Sequence, residues 1–189
     1  MFAEQCKNFF FLLLIFLISM WAVNYAPDQE IAIRPITMDH NAEYFALGYS
    51  KIQMNEFGLT DNKLTADFAA NYNGDIGTDL TSPEMIVYKK DAPPWVIRSK
   101  AGHISADGKK IFMNGQVFID RAAAEGVREV NIKTTNLRVL PDQNYAETDD
   151  WAELVSGLDR ISGVGMELFY QDPLYIKLLA NIKGLHEYY

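Results

Sequence analysis

The side chains that most often carry out chemistry are few in this sequence and poorly spaced for it. His40, His103 and His186 lie far apart and lack the close spacing of a local metal motif, so we interpret them as loop or surface residues. Asp149 and Asp150 could form a carboxylate pair for acid–base catalysis. Adjacent residues of a strand point to opposite faces, however, and a solvated turn explains the pair more simply.

Motifs for nucleophiles and nucleotides are also missing. No Gly-x-Ser-x-Gly elbow occurs. Gly163 and Gly165 form a Gly-x-Gly between predicted strands, without the following helix that a dinucleotide site needs. Cys6 is the only cysteine, so it predicts neither an internal disulfide nor a cysteine-based metal site. The sequence therefore predicts a non-enzyme without a cofactor, and a hydrolase assembled from distant loops remains an alternative.

Composition indicates a folded protein with an acidic surface. The chain has 189 residues, of which 49% are hydrophobic and 22% are charged, which suits one globular domain. Its formal net charge is -8. That charge repels nucleic acid phosphates and anionic membrane surfaces, so we expect no nucleic acid partner.

An uncharged apolar run predicts one transmembrane helix at residues 9–26. As a helix the run spans roughly 27 Å, close to the ~30 Å hydrocarbon core of a bilayer. The alternative is a cleaved signal peptide. Its cleavage site would place Asn24 and Ala26 before Pro27, which is a poor small-x-small signal, so we favour the uncleaved anchor.

Charges beside the predicted span indicate its orientation. Lys7 precedes the span and acidic residues follow it, which favours a cytoplasmic N-terminus at residues 1–8. Residues 27–43 contain two prolines and little periodicity, and we interpret them as a linker. The remaining chain, residues 44–189, would then lie outside the cytoplasm, which is the periplasm if the source is a Gram-negative bacterium.

The central segment Trp95–Arg121 predicts a β-meander. Its β-rich runs are separated by Asp107-Gly108 and by Asn114-Gly115, so we expect strand, turn, strand, glycine, strand. Tyr44–Asn55 has helical apolar spacing, but Gly48 interrupts it and its aromatic content favours a strand.

Two further regions set the ends of the predicted sheet. Residues 89–94 contain two prolines and are expected to close a hairpin formed by residues 78–82 and 85–88. The last run, residues 175–189, alternates apolar and polar side chains and can remain a free edge strand. Its predicted inner residues are Ile176, Leu178, Ala180 and Ile182.

Short strands with frequent turns predict an all-β antiparallel fold, either a sandwich, a barrel or a jelly roll. Residues 64–88 and 97–121 form a weak repeat, which suggests hairpins that share one hydrophobic face. The aromatic content of 13% could simply fill a packed core. Alternatively, two sheets that do not close tightly could hold acyl chains between them.

Several short motifs follow the N-terminal span in a fixed order along the chain. They are Leu64-Thr65-Ala66-Asp67, Trp95-Val96-Ile97-Arg98-Ser99, Asp107-Gly108, Gly115-Gln116-Val117, Thr134-Thr135-Asn136-Leu137, Ala146-Glu147-Thr148-Asp149 and Gly163-Val164-Gly165-Met166-Glu167. This ordered set resembles the LptC family of lipopolysaccharide export proteins, which is related to the OstA-type domains of LptA. Ser99 and Gln116 depart mildly from the alanine and asparagine common in that family.

The resemblance implies a twisted antiparallel β-jelly roll, with two facing sheets and an open hydrophobic groove, after one N-terminal transmembrane helix. It implies an inner-membrane, single-pass protein that receives lipopolysaccharide from the LptB, LptF and LptG transporter and passes it to LptA, in support of outer-membrane biogenesis. The C-terminal edge would pair with LptA, and the N-terminal edge with the LptF periplasmic domain. The alternative is a structural adaptor that docks LptA or another partner by its edge without holding lipid.

Candidate site residues come from both arguments. The resemblance implies that Tyr49 and Leu80 face acyl chains, and that Gly157 is a glycine of the strand-turn region. The alternation of the last run adds Ile176, Leu178 and Ile182 to the predicted lipid groove. The predicted partner-binding edge comprises Gly157, Leu178, Ala180 and Ile182.

Overall fold

The computed structural model describes residues 13, 42–72, 76–90, 92–170 and 173–186. The chain divides into two units, Met1–Met38 and Asp39–Tyr189. In the first unit only Leu13 is described; it is helical and exposed. The remainder of the predicted span at residues 9–26 lies outside the described residues. Within the described part of the chain, no helix is long and apolar enough to cross a membrane.

Antiparallel β-strands make up the described part of the second unit, which confirms the predicted all-β antiparallel class. Residues 44–54 of the stretch Tyr44–Asn55, for which a helix was the alternative, lie in a strand. A short 3-10 turn at Pro141–Gln143 links the seventh and eighth strands. The strands are β1 Ala42–Met54, β2 Thr60–Tyr72, β3 Gly77–Thr81, β4 Glu84–Lys89, β5 Ala92–Ile104, β6 Ile111–Arg121, β7 Val130–Leu140, β8 Tyr145–Ser156, β9 Asp159–Phe169 and β10 Tyr175–His186.

The strands form one continuous sheet in nearly sequential order, with β1 and β10 at its edges. β3 and β4 do not form the predicted hairpin, because both lie between β2 and β5 and pair with them. They are two parts of one interrupted strand, broken where Ser82 adopts a φ of 51° before Pro83. Pro93 and Pro94, expected at a sheet edge or in a loop, lie inside β5, next to its register shift with β4.

A line of β-bulges crosses the middle of the sheet. Each neighbouring pair from β5 to β10 has a register shift, and Gly115, Asn136, Gly165 and Asn181 have positive φ near these shifts. Bulges bend a strand and increase its twist. The expectation of separate strands at Asn114-Gly115 was therefore wrong, because that dipeptide lies at a bulge inside β6.

Two other interpretations from the sequence are wrong for residues at or near this line of bulges. Gly163 and Gly165 lie inside β9 rather than between strands. Asp149 and Asp150 lie at the bulge of β8 rather than in a turn. Asp150 Oδ2 accepts hydrogen bonds from the side chains of Thr135 and Asn136, and these bonds lower the pKa of its carboxyl group.

The bulges let both halves of a strand bury side chains on one side. In β5 the buried positions are Trp95 and Ile97 before the bulge, and Gly102 and Ile104 after it, so the alternation shifts by one residue. One hydrophobic cluster accordingly joins residues from both halves of the strands.

Contacts between distant strands show that the sheet folds back on itself. The Nε2 atom of Gln53 on β1 donates to Oδ1 of Asp142 at 3.0 Å. Lys89 Nζ on β4 donates to Asn144 Oδ1 at 3.2 Å. In a flat sheet β1 would lie about 24 Å from β7, which Asp142 follows, at ~4.8 Å per strand. The folded sheet therefore has two layers, which we call layer 1 and layer 2 and define by their buried residues below.

Gly165→Ala is expected to lower the free energy of unfolding by about 2 kcal/mol, because a left-handed conformation is unfavourable for alanine. Gly165 has a φ of +74°, and a Cβ added there would lie 2.9 Å from Leu179 Cδ1. Urea unfolding of the two proteins measures the difference. Gly184→Ala is the matched control, because nothing lies within 4 Å of its added Cβ, and an equal loss in both variants would contradict the argument.

Candidate functional site

Two rows of buried residues cross the inner face of the sheet, each formed by directly paired positions of neighbouring strands. The side chains in these rows are 0 to 4% exposed; the one glycine, Gly102, has no side chain. We call the space between the two layers the slot. Each layer contains one of the two rows. The row in layer 1 is Leu64, Met85, Ile97, Ile119 and Ile132, and the row in layer 2 is Ala69, Leu80, Gly102, Met113 and Leu137.

Side chains of the protein fill the middle of the slot. Ile97 and Met113 are 0% exposed and Leu80 is 3% exposed, so almost none of their surface is accessible to water. Leu80, predicted to contact acyl chains, is a core residue in this state. A lipid can reach Leu80 only if the two layers separate.

Burial decreases toward both edge strands. Ile176 and Leu178 on β10 are partly buried and pack against the core, opposite Leu168 and Met166. Tyr49 on β1 is also partly buried against the same core. Burial raises the pKa of the Tyr49 hydroxyl, with a smaller contribution from Tyr44.

The structure thus brings four of the five predicted groove residues to one hydrophobic cluster. Tyr49, Ile176 and Leu178 border it and Leu80 lies within it. Ile182 is 59% exposed and is not part of the cluster.

The predicted partner-binding edge lies mainly on β10. The regular alternation predicted for this strand is interrupted, because Asn181 has a φ of 50° and the register shifts between Ala180 and Lys183. Ala180 is exposed and pairs with Val164. Gly157 lies in the turn between β8 and β9, near the pairing of Asp159 with His186 at the end of β10.

Sequence reasoning missed two partly buried residues that pack against the core, Leu154 on β8 and Leu174 just before β10. Leu154 pairs with Ile132 and Ile161, which places it in the layer 1 row. The alternation of Ala152 with Leu154 on one face of β8 was the available signal.

Each described histidine lies on a strand, with Nδ1 close to the carboxylate of an aspartate on a neighbouring strand. Nδ1 of His103 on β5 lies 2.8 Å from Oδ1 of Asp79. His186 on β10 pairs with Asp159. Both are surface positions on strands, not in loops, and His40 lies outside the described residues. No group of three or more His, Cys, Asp or Glu side chains among the described residues could hold a metal ion.

Tyr170, just after β9, closes one corner of the slot. It is 3% exposed, its hydroxyl has no hydrogen-bond partner among the described residues, and Lys89 Nζ lies 5.5 Å from the centre of its ring. Burial raises the pKa of the hydroxyl strongly, and the nearby carboxylates of Asp61 and Asp142 raise it further.

Stability is expected to fall above about pH 10 because of Tyr170. The unfolded tyrosine ionises near pH 10, while the folded residue stays protonated, so the unfolded state binds fewer protons there. The contribution is complete below pH 10 and is lost at up to about 1.4 kcal/mol per pH unit above it. Urea unfolding at several pH values should show a shallower decline for Tyr170→Phe. The exposed control, Tyr88→Phe, should decline as steeply as wild type, and an equal slope in all three proteins would contradict this assignment.

Comparison with known proteins identifies the family. The chain matches the family described as "LptC: Lipopolysaccharide-assembly, LptC-related" over residues 11–187. No curated protein matches it. A similar solved structure is that of LptH, the LptA-homologous periplasmic component of the lipopolysaccharide transport device of Pseudomonas aeruginosa. It has 8% sequence identity and a TM-score of 0.40, and the match covers 76% of this chain and 94% of that one. On the family match, this chain belongs to the LptC-related family of lipopolysaccharide-assembly proteins, with a role in lipopolysaccharide transport.

Proposed function

We propose that this chain is a lipopolysaccharide relay that holds acyl chains in the slot and passes them to a partner docked on β10. The observation that carries the proposal is the apolar inner face. It continues from the buried core to partly buried Tyr49 on one edge strand and to Ile176 and Leu178 on the other. An added strand at either edge would extend this face into the next protein.

The relay requires the two layers to separate, because the middle of the slot is filled. Burying acyl chains supplies free energy for that step, at roughly 0.8 kcal/mol per methylene group. About ten methylene groups would contribute about 8 kcal/mol. This is comparable with the cost of parting several core side chains, at about 1.5 to 3 kcal/mol each. Lipid binding and layer separation are therefore coupled in the proposal.

The topology of the relay follows the sequence argument. Residues 9–26 anchor the chain in the inner membrane, residues 27–43 form a linker, and the β-domain works in the periplasm. Lipopolysaccharide enters from the LptB, LptF and LptG transporter at the β1 edge and leaves to LptA at the β10 edge. The protein performs no covalent chemistry and needs no cofactor.

Site-specific photo-crosslinking in cells tests the lipid contact. A photoreactive amino acid at Leu178, which is partly buried toward the slot, is expected to form a lipopolysaccharide adduct. The same amino acid at the neighbouring exposed Lys177 is the matched control and should form little or none. A third probe at Leu80 reports whether lipid reaches the middle of the slot. Absence of an adduct at both Leu178 and Leu80 would contradict the relay.

The second candidate is an adaptor that docks partners by its edges without holding lipid. The filled middle of the slot favours it, since a packed sandwich needs no lipid to be complete. The two functions differ in the same experiment. The adaptor predicts capture of LptA at the β10 edge, with no lipid adduct at any inward position.

A further inference from the structure

The free edge of β10 determines what kind of partner can dock there. Within the described residues β10 pairs only with β9, so the backbone groups on its other side have no strand partner. Such an edge accepts one further β-strand. On the outer face of the sheet, rows of side chains from β7, β8 and β9 end at this edge, and they determine which side chains suit the added strand.

An aromatic row reaches the edge at Tyr175. Phe169 pairs with Tyr145 on one side and with Tyr175 on the other. The ring centres are 4.6 Å apart for Tyr145 and Phe169, and 6.1 Å apart for Phe169 and Tyr175. Tyr175 is 53% exposed. An aromatic or large apolar residue opposite Tyr175 would continue the row.

A charged row lies beside the aromatic one and reaches the edge at Lys177. Arg138 donates from Nε to Glu147 Oε1 at 2.7 Å, and Glu147 also accepts from the Tyr145 hydroxyl at 2.8 Å. Glu147 pairs with Glu167, whose Oε2 lies 3.4 Å from Lys177 Nζ. Two carboxylates are thus flanked by two cations. The Lys177 side chain is 48% exposed at the edge, where an opposing carboxylate is favourable and an opposing cation is not.

An apolar position follows at Leu179. This residue is 47% exposed and covers Gly165, whose missing side chain leaves room for it. Tyr175, Lys177 and Leu179 occupy alternate positions of β10. The outer side of the edge therefore presents an aromatic, a cationic and an apolar side chain in that order.

We infer that β10 selects a strand of a partner protein that places an aromatic or large apolar residue opposite Tyr175, a carboxylate opposite Lys177 and an apolar residue opposite Leu179. The inference rests on the docking step of the proposed function and adds the side-chain pattern that gives it specificity. A docked strand of this kind extends the aromatic row and the charged row by one residue each and adds an apolar contact at Leu179.

A second copy of the chain fits this pattern less well. In an antiparallel pairing with β1 of a second copy that sets Phe45 opposite Tyr175, Glu43 would fall opposite Lys177. The register of β1 shifts between Ala42 and Tyr44, so Glu43 lies at an irregularity and does not alternate regularly with Phe45. The aromatic contact is satisfied in this register, but the regular charged contact is not. A different protein with all three residues is therefore the better occupant.

Two synthetic peptides test the pattern with the full-length protein in detergent. Both carry leucine and phenylalanine two residues before and two residues after a central position, with threonine between, and differ only in having glutamate or lysine at the centre. Fluorescence anisotropy of labelled peptides measures binding. The wild-type protein is expected to bind the glutamate peptide about fivefold more tightly.

Charge reversal assigns the preference to one residue. Lys177→Glu should reverse the preference, so that the lysine peptide binds more tightly. Lys183→Glu makes the same charge change on the same strand beyond the bulge, and should leave the preference as in wild type. Binding of neither peptide, equal binding of both, or reversal by Lys183→Glu as well would overturn the inference.

Two further readouts separate the inference from other outcomes. Self-association of the wild-type chain that Lys177→Glu abolishes would assign the edge to a second copy and overturn the inference. The lipid adducts at Leu178 and Leu80 report on the relay alone. Absence of both adducts, with the peptide preference intact, would contradict the proposed function but not the selection of the strand.

Discussion

Ile97→Ala is expected to lower the free energy of unfolding by about 2 to 5 kcal/mol, because it removes buried methyl groups and leaves a cavity. Ile97 is 0% exposed, and it pairs with Met85 and Ile119 in the layer 1 row. The core it belongs to joins both layers, so its truncation weakens the contact that holds the sheet folded. Urea unfolding of the full-length protein, followed by tryptophan fluorescence, measures the loss.

The control for Ile97 is its neighbour on the opposite face. Arg98 lies 3.9 Å from Glu84 and 2.5 Å from Asp120, but its side chain is half exposed. Exposed ion pairs contribute about 1 kcal/mol or less, so Arg98→Ala should cost about that amount. Losses of similar size at Ile97 and Arg98 would mean that the inner face is not packed between two layers.

Ile182→Pro is expected to reduce capture of LptA about tenfold while the chain stays folded. Proline removes a backbone N–H group, and prolines are tolerated at strand edges and bulges. Ile182 meets both conditions, since it lies on edge strand β10 within the register shift between Ala180 and Lys183. A tenfold change corresponds to about 1.4 kcal/mol, within the range of one or two lost hydrogen bonds. Pull-down of LptA with purified full-length variants measures the change.

A second substitution separates the backbone effect from the side-chain effect. Ile182→Ala keeps the N–H group and removes only apolar atoms that are already 59% exposed. It should bind LptA nearly as well as wild type. Equal binding by the proline variant and wild type would remove the support for pairing at the C-terminal edge.

Much of the fold was predictable because polar and apolar residues alternate within short runs. In β7 the residues Val130, Ile132 and Thr134 follow the period of two, and all three are buried. The Asp107-Gly108 turn between β5 and β6 was also found from sequence. These features depend on neighbouring residues, which a single sequence contains.

The bulges were harder to predict because their effect depends on the neighbouring strand. Gly115 was taken as a break between strands, yet its N–H group donates to the side chain of Asn136 on β7 and the strand continues. Asn136 and Asn181 adopt positive φ, which asparagine tolerates, but nothing in their local sequence distinguishes them from ordinary strand residues.

The candidate site was predictable to the same extent. Leu178 packs against the core, because it lies before the bulge of β10, where the alternation holds. Ile182 was placed on the same side, but the register shift after Ala180 separates the two. The outer-face rows that end at Tyr175 and Lys177 were not found, because they depend on which strands are neighbours.

The central claim is that lipid lies between the two layers, and a distance measurement tests it most directly. Lys133 on layer 1 and Thr81 on layer 2 are exposed and each follows a buried residue of its row. Spin labels on cysteines at these two positions, in a chain with Cys6 replaced by serine, report the separation by pulsed electron resonance. The relay predicts that the distance lengthens when lipopolysaccharide binds. A distance that stays unchanged while lipid is bound would contradict it.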